Sequence, residues 1–246
     1  MSTSRNKSTA PVAPSDRPGG EVLDGPVEQF DEAGVLVSRA VFSGGLLHGD
    51  LSSFGPKGTP VAVAPYQRGK LHGVLKLFDE EGQPVQEVGY VQGAQEGVTR
   101  VFAGGRLLSE QKFVAGVLHG EATSYSEAGD VTMKQHFFRG DVEGETLFLN
   151  EGSVVRRSHY RKGLMEGETC DYDRDGAIVQ RANYRNNLLE GTLTRYWPDE
   201  QPMEVLLYRA GKPVGKPRHF DSKGVELRGD EAKTSLLQRL EKLVKG

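Results

Sequence analysis

Aromatic and apolar positions recur along this chain with a period of 23 or 24 residues. A glycine opens a short alternating run at Gly25, Gly49, Gly73, Gly97, Gly120, Gly144, Gly167, Gly191 and Gly215. Five residues after it stands an aromatic: Phe30, Phe54, Phe78, Phe102, Tyr125, Tyr172, Tyr196 and Phe220, with Phe148 of the sixth copy after four. A second aromatic column holds Phe42, Tyr66, Tyr90, Phe113, Phe137, Tyr160, Tyr184 and Tyr208. The two columns take 17 of the 19 Phe, Tyr and Trp residues and leave out only Phe138 and Trp197, so chance placement is no rival. A fixed period of this length marks a repeat architecture, each copy one supersecondary unit.

Polar, glycine-ended segments separate the runs. Asp79-Glu80-Glu81-Gly82 and Asp173-Arg174-Asp175-Gly176 are examples. Polar residues make the bend, and glycine accepts the positive φ that strains other residues. Another glycine column follows the second aromatic by three: Gly45, Gly69, Gly93, Gly116, Gly140, Gly163 and Gly211, with Asn187 standing in for one copy. Each unit therefore reads as two short strands joined by one turn, with a second turn leading onward.

Strand faces follow from a period of two. Six residues before the second aromatic stand Leu36, Pro60, Pro84, Leu107, Val131, Val154, Ile178 and Pro202, an even offset expected on the aromatic's own face. Three residues before it stand Arg39, Val63, Glu87, Glu110, Lys134, Arg157, Arg181 and Val205, mostly charged and expected on the other face. One apolar face and one solvated face is the pattern of an antiparallel sheet.

The spacing aromatic, glycine, glycine, aromatic, glycine in Tyr66-Gly69-Gly73-Phe78-Gly82 and Tyr160-Gly163-Gly167-Tyr172-Gly176 resembles the MORN repeat. In particular it resembles the longer variant found in bacterial YwqK-type antitoxins. The resemblance covers residues 21–228. It implies an all-β fold: an elongated single-layer antiparallel sheet of about nine stacked β-hairpins. Residues 1–20, rich in Ser, Pro and Gly, are expected to be a disordered tail. Residues 229–246 carry Leu236, Leu237, Leu240, Leu243 and Val244 on one helical stripe and are expected to form a short capping helix.

Composition narrows the function. A net charge of −3 argues against a general nucleic-acid binder. The first residues lack the apolar core of a secretory signal, and no run is long enough to enter a membrane, so a cytoplasmic protein is expected. The single cysteine, Cys170, reads as a small buried strand residue. Asp171, Asp173 and Asp175 resemble the start of a calcium loop, but its twelfth position is Ala182, where a bidentate Glu belongs. His48, His72 and His119 share one repeat slot, and such slots in successive hairpins would stand about 10 Å apart, too far for one metal ion. No catalytic motif is present. No enzyme activity, cofactor or metal is expected.

Two charged columns are the candidate partner-binding residues. The slot before the opening glycine is acidic at Glu143, Glu166 and Glu190, and Arg161, Arg185 and Arg209 each follow a second-column tyrosine. Glu121, Glu145 and Glu168 add to the acidic stripe. A solvated face with cross-strand pairs accounts for such columns, and so does a docking surface that steers a partner. The expected role is protein binding. By resemblance the partner is a toxin or secreted effector, bound by an antitoxin, immunity protein or adaptor. The alternative is a scaffold that forms homodimers or larger oligomers through a sheet edge or the terminal helix.

Overall fold

A computed structural model describes residues 22–227. The expected N-terminal tail and C-terminal capping helix lie outside the described residues. Among these, all 23 elements are β-strands and the paired strands run antiparallel. The chain divides between Gly97 and Val98 into two units, and the division falls inside the strand Ala94–Ala103.

The first unit contains three hairpins: Gly25–Phe30 with Leu36–Ser43, Gly49–Phe54 with Pro60–Gln67, and Gly73–Phe78 with Pro84–Val91. Successive hairpins pair through their neighbouring strands, as Ala62 with Leu77 and Val63 with Lys76 show. The second unit repeats the scheme. There Ser153–Arg161, Gly167–Tyr172, Ile178–Arg185, Gly191–Tyr196, Pro202–Arg209 and Lys212–Phe220 follow one another as paired neighbours.

Local chemistry explains the turns. In the third hairpin Asp79 Oδ1 accepts the N–H groups of Glu81 at 3.1 Å and Gln83 at 2.7 Å. Gly82 then takes φ of 80° with open space around a would-be Cβ, so its backbone conformation selects glycine there. Gly73 is different. Its φ is 121°, and a Cβ would lie 2.9 Å from Pro65 Cγ, so close approach excludes a side chain as well.

The expected face assignment is corrected by a bulge. In most hairpins the register slips by one residue just before the first aromatic, as between Leu77 and Phe78 or Asp171 and Tyr172. The slip places Ile178 opposite Tyr172, while Gln180 stays opposite Asp171. Tyr172 alternates with Asp171 on its own strand, so Tyr172 and Ile178 sit on the face away from Tyr184. The even count of six fails because it crosses this extra residue. Contacts agree with the corrected faces: the Arg157 guanidinium lies 5.9 Å from the Tyr172 ring centre, and that of Arg218 lies 5.2 Å from Phe220. Phe148 pairs with Arg156 on the second-aromatic face, and Leu149 takes the slot that other copies give to the first aromatic.

The core is a seam of small residues beside the second-aromatic row, on the same face of the sheet. It follows the positions two after the opening glycine and two before the second aromatic. In the first unit it includes Ala40 and Val88; in the second, Ala122, Thr146, Ser158, Thr169, Ala182 and Leu193. The column aromatics are half-buried, apart from Phe30, which is 56% exposed. Cys170 is buried, as its strand position predicts.

Candidate functional site

Glu143, Glu166 and Glu190 occupy one structural niche in the second unit. Each carboxylate accepts the backbone N–H of the first turn residue in the following repeat: Lys162 at 2.9 Å, Asn186 at 3.0 Å and Ala210 at 2.7 Å. Those turn residues hold φ of 51°, 50° and 48°. Two consecutive positive-φ residues make a two-residue hairpin turn that matches strand twist. The cost is a left-handed conformation at a non-glycine residue. The glutamates fasten these turns to the preceding repeat, so the acidic column has a structural task whatever else it does.

Arg161, Arg185 and Arg209 close their strands and are exposed, and among the described residues their side chains make neither a hydrogen bond nor an ion pair. Two more glutamates of the acidic stripe are spent across strands. Glu145 meets Arg157 at 3.3 Å, and Glu168 meets Arg181 at 3.3 Å. Asp171 and Asp173 have separate duties: Asp173 Oδ1 accepts the N–H groups of Asp175 and Ala177, while Asp171 binds Arg156. Among the described residues no group of three or more His, Cys, Asp or Glu side chains could hold a metal ion.

A second feature lies on the second-aromatic face of the second unit. Four residues before each second-column tyrosine, and four after each opening glycine, the register forms one row: Arg156, Asp171, Gln180, Arg195, Glu204 and His219. Arg156 holds Asp171 by two guanidinium nitrogens, one of them 3.1 Å from Oδ2. The Gln180 amide donates to Asp171 at 3.1 Å and accepts from Arg195 Nε at 3.2 Å, a neutral relay with its orientation fixed at both ends. Arg195 Nη1 reaches Glu204 Oε1 at 3.3 Å, and His219 Nδ1 lies 3.9 Å from Glu204 Oε2. The row thus crosses six strands.

Burial makes the row asymmetric. The side chains of Arg156 and Arg195 are 51% and 49% exposed, whereas Asp171 and Glu204 are 18% and 13% exposed. The carboxylates lie beneath and the guanidiniums face water. Bonding to Asp171 raises the pKa of Arg156, and Tyr184 and Tyr160 act on it in the same direction. Those tyrosines therefore lie near the charged row, across the seam that buries Ser158 completely. Among the described residues the hydroxyls of Tyr160, Tyr184 and Tyr208 make no hydrogen bond.

The sequence carried a signal for this row. Counting back four from the second aromatic, or forward four from the glycine, returns its members. The apolar reading of that face left the offset uncounted. In the first unit the same offsets give Ser38, Ala62 and Gln86 on one strand set and Gln29, Ser53 and Leu77 on the other, so the charged row belongs to the later copies.

No curated protein matches the chain. Residues 71–92, which hold the third hairpin and the turn residues before it, match the family model of the MORN repeat variant.

Proposed function

We propose that this is a non-catalytic, protein-binding repeat protein that acts in the cytoplasm as an antitoxin, immunity protein or adaptor, occupying the surface of a toxic effector. The match to a MORN repeat variant supports a repeat-type binding role. The observation that carries the reading is the outer surface of the later hairpins. It sets the row of second-column tyrosines on the same face as half-exposed arginines whose counter-ions lie beneath them. Exposed ion pairs contribute only about 0.2–1 kcal/mol each, so stability alone gives little reason for a row across six strands. Tyrosine and arginine are the side chains that anchor protein interfaces. The exposed Arg161, Arg185 and Arg209 add positive charge at the strand ends, which suits an acidic partner.

The test is affinity purification of the protein from its native cells, with mass identification of what stays bound. A stoichiometric partner that is toxic when expressed alone and harmless when co-expressed supports the reading. A protein recovered without a partner, or a partner whose toxicity persists on co-expression, contradicts it.

A further inference from the structure

The slot just before the opening glycine holds an acid or a histidine in eight of the nine copies, Glu143, Glu166 and Glu190 among them. In the last copy it is Val214. Its cross-strand partner is Leu207. In the three preceding copies the residue in the place of Leu207, just ahead of the second aromatic, is His136, His159 or Asn183. The last copy thus exchanges a polar pair for an apolar one.

Both side chains are exposed, Leu207 to 42% and Val214 to 41%. Leu188, 49% exposed, stands beside the last turn, where a Cβ on Gly211 would meet its Cδ2 at 3.3 Å. Leu207 alternates with Tyr208, and Leu188 with Leu189, the partner of Tyr184. All three apolar side chains therefore lie on the face away from the second-aromatic row. Position explains the loss of the glutamate. Glu143, Glu166 and Glu190 each hold a turn 19 or 20 residues later, and the glycine and aromatic columns end before a counterpart for Val214. It does not explain two apolar side chains facing each other in water. Single exposed apolar residues are ordinary, but a contiguous group marks a surface that something covers.

The chain after Leu227 selects the cover. Residues 228–246 carry Leu236, Leu237, Leu240, Leu243 and Val244 at the spacing of one helical stripe. Leu227 pairs with His219, and Val214 is five residues back on the same strand, at most about 17 Å away. The nine residues from Leu227 to Leu236 span up to about 30 Å when extended, so the stripe reaches the patch with slack. The other face of these hairpins offers no comparable place: Leu189, Leu193, Leu206 and Tyr208 are buried or half-buried there.

We infer that residues 228–246 dock on the last two hairpins of their own chain, with the leucine stripe over Leu188, Leu207 and Val214. The cover keeps this patch from joining other chains and leaves the tyrosine face open. The inference goes beyond the partner-binding reading and does not depend on it, because the two concern opposite faces.

The test is disulfide trapping in the full chain, with Cys170→Ser as background. Val214→Cys with Leu240→Cys forms a disulfide within the monomer at least tenfold faster than Arg195→Cys with Leu240→Cys, since Arg195 lies on the second-aromatic face. Equal rates overturn the inference. So does a disulfide that joins two chains, which would make the cover a second copy. Urea denaturation reads the same contact independently. Leu207→Ser and Leu240→Ser each lower the folding constant about tenfold, and the double variant lowers it by a similar factor rather than a hundredfold, because both remove one contact. Effects that multiply, or a Leu207→Ser variant as stable as the wild type, as an uncovered surface leucine would give, also overturn it.

Discussion

The Glu190 carboxylate accepts the backbone N–H of Ala210, twenty residues later, at 2.7 Å. The bond joins two successive turns, and Glu166 makes the same bond to Asn186. Replacing Glu166 or Glu190 with Ala should lower stability by about 1 kcal/mol, the value of a typical hydrogen bond. Gln keeps an acceptor oxygen and should lose less. Urea denaturation measures both. It also bears on binding experiments: reversing Glu143, Glu166 and Glu190 to Lys loosens three turns, so a binding loss in that variant is not specific. Reversing Arg161, Arg185 and Arg209 leaves the turns intact and tests the docking surface cleanly.

Ala210 itself holds φ of 48° with an exposed side chain. A left-handed conformation costs an L-residue roughly 1–2 kcal/mol, and glycine's extra unfolded entropy returns about 0.5–1 of that. Ala210→Gly should therefore stabilise the protein by about 0.5–1 kcal/mol. A lower unfolding midpoint would show that the turn is not strained.

Thr146 and Ser158 face each other across neighbouring strands, both fully buried, and among the described residues neither hydroxyl has a hydrogen-bond partner. Burying an unpaired hydroxyl costs about 1–3 kcal/mol in protein mutational data. Thr146→Val keeps the shape and removes the polar atom, so stability should rise by about 1 kcal/mol. Ser158→Ala should act in the same direction. Thr146→Leu should destabilise, because the seam lies between strands that cannot spread. Thermal unfolding of the three variants distinguishes these outcomes.

Burial pushes the Cys170 thiol above its ordinary range, and the neighbouring Glu168 adds to this. A thiol whose folded pKa is raised binds its proton more tightly when folded. The stability it contributes is fully present below the unfolded pKa and is lost as pH rises through the folded one. Stability should thus fall in the alkaline range, by more in the wild type than in Cys170→Ser. At pH 8 the folded protein should react with a thiol reagent at least tenfold more slowly than the urea-unfolded chain, because the thiolate is the reactive form. Equal rates would place the thiol at the surface.

The glycine and aromatic columns made the strands and turns legible, because each obeys a local rule. Gly82 needs a positive φ, and Tyr184 ends an alternating run. The faces were legible only up to the bulge. Nothing in Leu36 or Ile178 announces that one extra residue reverses its side; that depends on register with Phe30 and Tyr172. Glu166 was visible as part of an acidic column, but its role depends on a backbone group twenty residues away. Arg156 and Asp171 lie 15 residues apart and meet only after the pairing of their strands is known. Local rules encode the hairpin, while pairing between hairpins builds the charged row.

The central claim is that the second-aromatic face of the later hairpins binds a protein. Hydrogen exchange with mass detection, on the chain alone and with its co-purified partner, tests this most directly. The account predicts slowed exchange concentrated in peptides spanning Ser153–Arg161, Ile178–Arg185 and Pro202–Arg209, and no such slowing with the partner after Tyr160, Tyr184 and Tyr208 are changed to Ser. Protection confined to residues 25–91, or protection that persists in that triple variant, would contradict it.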